Sequence, residues 1–188
     1  MLDLLNNSRA LSLFSILVLL AGLGWIWASR VAPGSTTNGL IPAPKAGFLA
    51  PDFTLKTLQG EEVRLSAFRG KPVVINLWAS WCPPCKEEMP TFERVYRDLH
   101  DKGFILLAVN ATNQDKLENA RSFVQANQLT FPILLDTNGE VSQQYRLTSL
   151  PTSFFIRSDG IIDEVVVGGP MTEASLRARL ERLLKEGN

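Results

Sequence analysis

Two apolar runs limit what this chain can fold into. Val73–Leu77 (VVINL) and Phe104–Val109 (FILLAV) are almost unbroken by polar residues, the pattern of strands buried on both faces of a sheet. Between them, Pro83 to about Asp101 carries apolar residues at helical spacing. Strand, helix and strand joined in this order make a βαβ unit, so the two strands are expected to run parallel.

Further elements follow on either side. A second helix is expected from Lys116 to Asn127 with Asp115 as its cap, then the run FPILLD, a turn at Asn138-Gly139 and a short helix at Val141–Tyr145. Thr152–Arg157 and Ile161–Val167 flank Asp159-Gly160, a strong hairpin signal. The last helix runs from about Glu173 to Lys185, with Thr172 as N-cap and Leu176, Leu180, Leu183 and Leu184 facing the core. Upstream, Phe53–Thr57 and Glu62–Leu65 around Gln59-Gly60 form an added hairpin. No internal repeat is visible.

The N-terminal end is of another kind. Leu11–Ala28 contains no charged residue, and as a helix it would be roughly 27 Å long, close to a bilayer's hydrocarbon thickness. Trp25 and Trp27 stand where aromatic rings favour the membrane boundary. A cleaved signal peptide is the alternative, with Arg9 before the run and Ala28 at its end, but the run outlasts the usual apolar region and Trp27 suits a small-x-small site poorly. Arg30 and Lys45 after the span nearly balance the charges before it, so export rests on the usual behaviour of short signal-anchors and on the chemistry below. Residues 29–47, rich in Pro, Gly, Ser and Thr, read as a linker. The expected organisation is an anchor over 1–28, a linker over 29–47 and a working domain over 48–188.

Composition removes several classes of function. Of 188 residues, nineteen are Lys or Arg and nineteen Asp or Glu, so no bulk positive field exists to hold nucleic acid. Two cysteines are too few for a disulfide-stapled miniprotein or a multi-cysteine zinc module.

Both cysteines fall in Trp81-Cys82-Pro83-Pro84-Cys85, just after a buried strand and at the start of a helix. At a helix N-terminus, unpaired N–H groups and the positive end of the dipole stabilise a thiolate, the species that attacks a disulfide. Cys85 lies one turn further in, close enough to form a ring with Cys82. Prolines in a first helical turn cost little, because those N–H groups have no intrahelical partner. Half a zinc site is the competing reading, but no second CxxC exists and the one histidine, His100, lies fifteen residues beyond Cys85. A purely structural disulfide over so small a loop would add little stability.

Glu88 is a further candidate. It falls within the helical stripe of Cys85, Met89, Phe92, Val95, Tyr96 and Leu99, whereas Glu87 points away. A carboxyl withdrawn from water holds its proton more tightly and can pass protons to and from the cysteines; a side chain bent out to solvent is the alternative. Asn76 is the one polar residue in VVINL, and such residues are more often satisfied core amides than catalytic groups. Leu150-Pro151 precedes a strand, and X-Pro is the bond at which cis is accessible.

Taken together, WASWCPPCKEEMP, LPTSFFI and the opening APDFTL resemble the thioredoxin superfamily, in its redoxin (AhpC/TSA-like) branch. More narrowly they resemble its membrane-anchored thiol–disulfide oxidoreductases of the TlpA/ResA type. The resemblance covers essentially all of 48–188, with NQLTFPILLDTNGEVSQQY similar to the family's central insertion. It implies an α/β, thioredoxin-like fold, a central mixed sheet of four or five strands flanked by helices, with an N-terminal β-hairpin. It also implies Cys82 as nucleophile, Cys85 as resolving thiol and Pro151 as the cis-proline beside their redox-active disulfide. Trp81, Pro83, Leu150 and Pro151 are then expected at the substrate, which adds as a strand at Leu150. Glu88 matches the family's active-site glutamate, and Asn76 stands where cytoplasmic thioredoxins carry a buried aspartate.

The function so implied is an exported disulfide reductase that needs no cofactor or metal. Its expected partners are extracytoplasmic protein disulfides, among them apocytochrome c thiols, and a membrane thiol carrier that supplies electrons. An oxidase or isomerase using the same residues is the near alternative. A copper-handling module with the two thiolates as soft ligands lacks an evident third ligand. A peroxidase is the other alternative, since APDFTL openings occur in peroxiredoxin-like chains, but Ala79 rather than threonine stands three residues before Cys82.

Overall fold

The computed structural model describes residues 15–22, 25 and 41–186. The chain separates into two units, residues 1–40 and 41–188. Within the first, residues 15–22 are helical. Half of the apolar run 11–28 falls outside the described residues, and among those described no helix is long and apolar enough to cross a membrane.

The second unit is built on β3 (Val73–Trp78) and β4 (Ile105–Asn110), which pair in parallel, Val73 beside Ile105 through to Trp78 beside Asn110. Helix α1 (Pro83–Leu99) is the crossover between them. β5 (Ile133–Leu135) continues the parallel set beyond β4, and α2 (Leu117–Ala126) connects the two. After the short α3 (Glu140–Gln144), β6 (Thr152–Ile156) pairs antiparallel with the other side of β3. β7 (Ile162–Val167) folds back along β6, and α4 (Glu173–Glu186) ends the described chain. The expected hairpin, β1 (Thr54–Thr57) and β2 (Glu62–Arg64), is hydrogen-bonded to β5 and widens the sheet to seven strands in the order β2-β1-β5-β4-β3-β6-β7.

Strand alternation sorts the core into two layers. Val74, Trp78, Leu106, Ala108 and Phe155 join α1 and α4 on one face, with Met89, Phe92, Val95, Leu176, Leu180 and Leu183. Ile75, Leu77, Leu107, Val109, Phe154 and Ile156 face the opposite layer, closed by Phe53, Leu65, Val141 and Tyr145. By the same period of two, Asn76 and Ser153 belong to the α1 face, and they stand opposite one another in the β3–β6 register.

Two boundaries differ from the sequence reading. Residues 41–47, read as linker, are tied to the domain: Pro42 bridges Leu49, and the Gly47 N–H donates to the Ile162 carbonyl at 2.8 Å. Ala50 N–H donates to Gly160 and Ile162 N–H to Phe48, so the entering chain docks at the β6–β7 turn. Helix α2 is preceded by Lys116 with no side-chain cap, because the Asp115 carboxylate is used elsewhere.

Glu93, on α1, is buried with both oxygens engaged. It accepts from Thr130 N–H at 2.7 Å, Thr130 Oγ at 2.8 Å and Arg97 Nε at 2.5 Å, fastening the helix to the segment before β5. Glu93→Ala is expected to cost about 2–4 kcal/mol, because the Thr130 N–H loses a charged partner within a half-buried site. Arg97→Ala, which removes an exposed cation, should cost less than about 1 kcal/mol. Chemical denaturation of both variants checks this, and the reverse order would refute the assignment.

Candidate active site

α1 begins where β3 delivers the chain to the end of the sheet. Cys82 is its N-cap, in extended geometry (φ −81°, ψ 114°), with Pro83 and Pro84 in the first turn. The Cys82 sulfur accepts the Cys85 N–H at 3.3 Å, taking the capping place usually filled by a side-chain oxygen. Cys82 and Cys85 are joined as a disulfide, and both are buried. The sequence therefore places a sulfur where the helix offers unpaired N–H groups.

The loop before the cysteines is held by Asp115. Its carboxylate accepts from Ser80 N–H and Ser80 Oγ, each at 2.6 Å, from Asn110 Nδ2 at 2.9 Å and from Lys116 N–H at 2.8 Å. Partial burial works against this charge, but the hydrogen bonds outweigh it and hold the carboxyl below the usual carboxylate range. Sequence reasoning assigned Asp115 to the helix it precedes. Its link to Ser80 spans thirty-five residues and left no local signal.

Trp81 is about half exposed, its indole N–H donating to the Gln114 carbonyl at 2.8 Å. With Cys82, Pro83, Pro84 and Leu147–Leu150 it lines a groove of about 280 Å³ that carries no charged side chain. Trp81, Pro83 and Leu150 thus meet at Cys82. Pro151 is buried instead, the Leu150–Pro151 peptide is cis, and the Pro151 carbonyl accepts from Gly168 N–H at 2.8 Å.

Beneath the dithiol lies Glu88, 1% exposed and one turn from Cys85. Its Oε1 accepts from Asn76 Nδ2 at 2.8 Å and its Oε2 from Met171 N–H at 3.0 Å. Burial pushes this carboxyl above the ordinary glutamate range, and the two hydrogen bonds counter only part of that rise. The carboxyl does not bend out to solvent. His100 lies at the far end of α1, its ring against the Tyr96 and Arg97 carbonyls. Among the described residues no three His, Cys, Asp or Glu side chains gather as a metal site.

Gly169 is a site residue that sequence reasoning missed. A Cβ there would fall 2.8 Å from Glu88 Oε2 and 2.7 Å from Pro151 Cγ, so the bare backbone is what lets carboxyl and proline share the space. The Gly168-Gly169 pair after a strand was the available signal.

A dithiol pair capping a helix at the end of a thioredoxin-like sheet defines a thiol–disulfide oxidoreductase. Comparison with known proteins gives the same class. The AhpC/TSA family model matches residues 46–165, and the chain belongs to that family. It is 40% identical to the thioredoxin-like protein YneN of Bacillus subtilis over 136 residues, 72% of this chain and 78% of that one. To the thiol-disulfide oxidoreductase ResA of Geobacillus thermodenitrificans it is 36% identical over 168 residues, 89% and 91% of the two chains. The crystal structure of StoA from Bacillus subtilis superposes with a TM-score of 0.62 at 35% identity, covering 69% of this chain and 96% of StoA.

Two predictions follow from the packing around Glu88. Gly169→Ala should destabilise the fold by about 1–3 kcal/mol, read as a lowered midpoint in denaturant, because the Pro151 ring is rigid and the Glu88 oxygen is held by the Met171 N–H. The second concerns pH. The native state keeps the Glu88 proton at pH values where the unfolded chain has lost it, so stability from this group is complete below the unfolded carboxyl range. It is lost as pH rises toward the raised native value. Glu88→Gln has no such loss. Its Tm relative to wild type should therefore climb from acid pH upward and then level, and a difference constant with pH would refute the buried-acid assignment.

Proposed function

We propose that the chain is an exported, membrane-tethered reductase of protein disulfides, with its domain on the extracytoplasmic side of the cytoplasmic membrane. One observation carries the redox reading: a cysteine pair whose outer sulfur caps α1 beside an uncharged groove, with a buried carboxyl one turn below. The uncharged run 11–28 supports the tether, the ResA and StoA likeness supports thiol–disulfide exchange, and the reducing direction is the one the family resemblance implies.

In this reading the Cys82 thiolate attacks one sulfur of the client disulfide, and the client's other sulfur leaves as a thiolate. Cys85 then gives up its proton to Glu88 and attacks Cys82, releasing the second client sulfur and forming the Cys82–Cys85 disulfide. Two electrons pass to the client, and Glu88 returns its proton to the departing thiolate. The client backbone lies along Leu150, with Trp81, Pro83 and Pro151 shaping its approach. A membrane thiol carrier restores the dithiol. Among clients, apocytochrome c thiols before haem attachment are the ones the family resemblance favours.

The experiment is the reduction potential of the full chain in detergent, equilibrated against a defined thiol couple. A value near about −270 mV is expected of a reductase, whereas one near about −120 mV would make it a disulfide donor and overturn the direction proposed here. Cys85→Ser should accumulate a mixed disulfide with a client peptide through Cys82, visible by mass on a non-reducing gel. Cys82→Ser should accumulate none.

A further inference from the structure

Asn76 occupies a position where an apolar residue would fit the sheet. It lies within VVINL, is 0% exposed, and points with Val74 and Trp78 to the α1 face. Both hydrogens of its amide nitrogen are used: one goes to Glu88 Oε1 at 2.8 Å, the other to Ser153 Oγ at 3.0 Å. Its carbonyl oxygen, equally buried, has no partner among the described residues. A core amide with one end fully engaged and the other bare is oriented by what its donor end holds. Turned over, it would set a carbonyl oxygen against the carboxylate and withdraw the N–H from Ser153.

We propose that Asn76 is a positioning residue for Glu88, its donor end pinning one carboxyl oxygen and so setting how tightly the carboxyl holds its proton. Ser153 locks the amide in that orientation from the neighbouring strand. The Met171 N–H, at 3.0 Å, holds the other oxygen, and Gly169 closes the remaining side. The groups around the Glu88 carboxyl are then Asn76 from β3, Ser153 behind it on β6, and the Gly169–Met171 backbone beside Pro151, with Cys85 one turn earlier on α1. Among the described residues no charged side chain bears on it, so the balance lies between burial and these two donors. Removing one donor therefore acts on the proton directly, without passing through a third charge.

The inference rests on Glu88 as the proton-handling group of the proposed reaction, and its test is separable from that role. The full chain in detergent, carrying ¹³C at the glutamate side-chain carboxyls, is titrated by NMR in its disulfide form, in which the cysteines do not titrate. The Glu88 signal is identified by its loss in Glu88→Gln. Asn76→Leu should raise the Glu88 midpoint by about one pH unit, a tenfold gain in proton affinity, and Ser153→Ala should raise it by a smaller step. If Asn76→Leu does not fold, Ser153→Ala decides alone. A midpoint unmoved in the folded variants overturns the proposal, because a merely structural amide would alter Tm and leave the titration in place.

The reduced protein separates the two claims. Where Glu88 handles the Cys85 proton, the pH profile of Cys85 alkylation, read in a Cys82→Ser background, shifts together with the carboxyl midpoint. A moved midpoint with an unmoved thiol profile supports the Asn76 assignment and removes the proton-handling role of Glu88.

Discussion

The site depends on how β3 gives way to α1. A strand buried on both faces can be followed by a helix only if the first turn of that helix opens at the edge of the sheet, where its N–H groups find no carbonyl. Cys82 occupies that opening and accepts one of those N–H groups through sulfur. The same junction fixes the helical phase, which sends Cys85, Glu88 and Met89 inward. Asp115 steadies the approach by gripping Ser80 twice, two residues before Cys82.

Below the cysteines the protein tolerates a carboxyl that water cannot reach. Two donors, an amide from the central strand and a backbone N–H from the loop between β7 and α4, keep that group from being wholly orphaned. A carboxyl so placed holds its proton more tightly than an ordinary glutamate, because burial outweighs the two hydrogen bonds. Glu93, five residues along the same helix, shows the contrast. It is equally inward-facing, yet the hydrogen bonds from Thr130 and Arg97 make it a structural fastening.

Much of this was legible in the residues. The two apolar runs placed β3 and β4, the DG turn placed β6 and β7, and the stripe through Cys85 and Leu99 turned Glu88 inward while leaving Glu87 out. What the sequence hid were contacts between distant segments. Asp115 looked like a local cap because caps are read from neighbours, whereas its partner Ser80 arrives from another strand end. Gly169 carries no side chain for a pattern to register, and its role exists only through Glu88 and Pro151. Asn76 was visible as an exception within an apolar strand, but the register that sets it opposite Ser153 needed the sheet to be assembled.

The docking of residues 41–50 has a mechanical meaning. β6 starts beside the end of β3 nearest the cysteines and runs away from it, so the turn that receives Gly47 and Ala50 lies at the opposite pole of the sheet. β3 has six residues, and at strand spacing that is roughly 20 Å of rigid lever between grip and tip. Whatever holds the chain upstream of residue 41 holds the domain by its base, like a brush by its handle. The Cys82–Cys85 pair and the point where the described chain enters the sheet therefore lie at opposite ends of the domain.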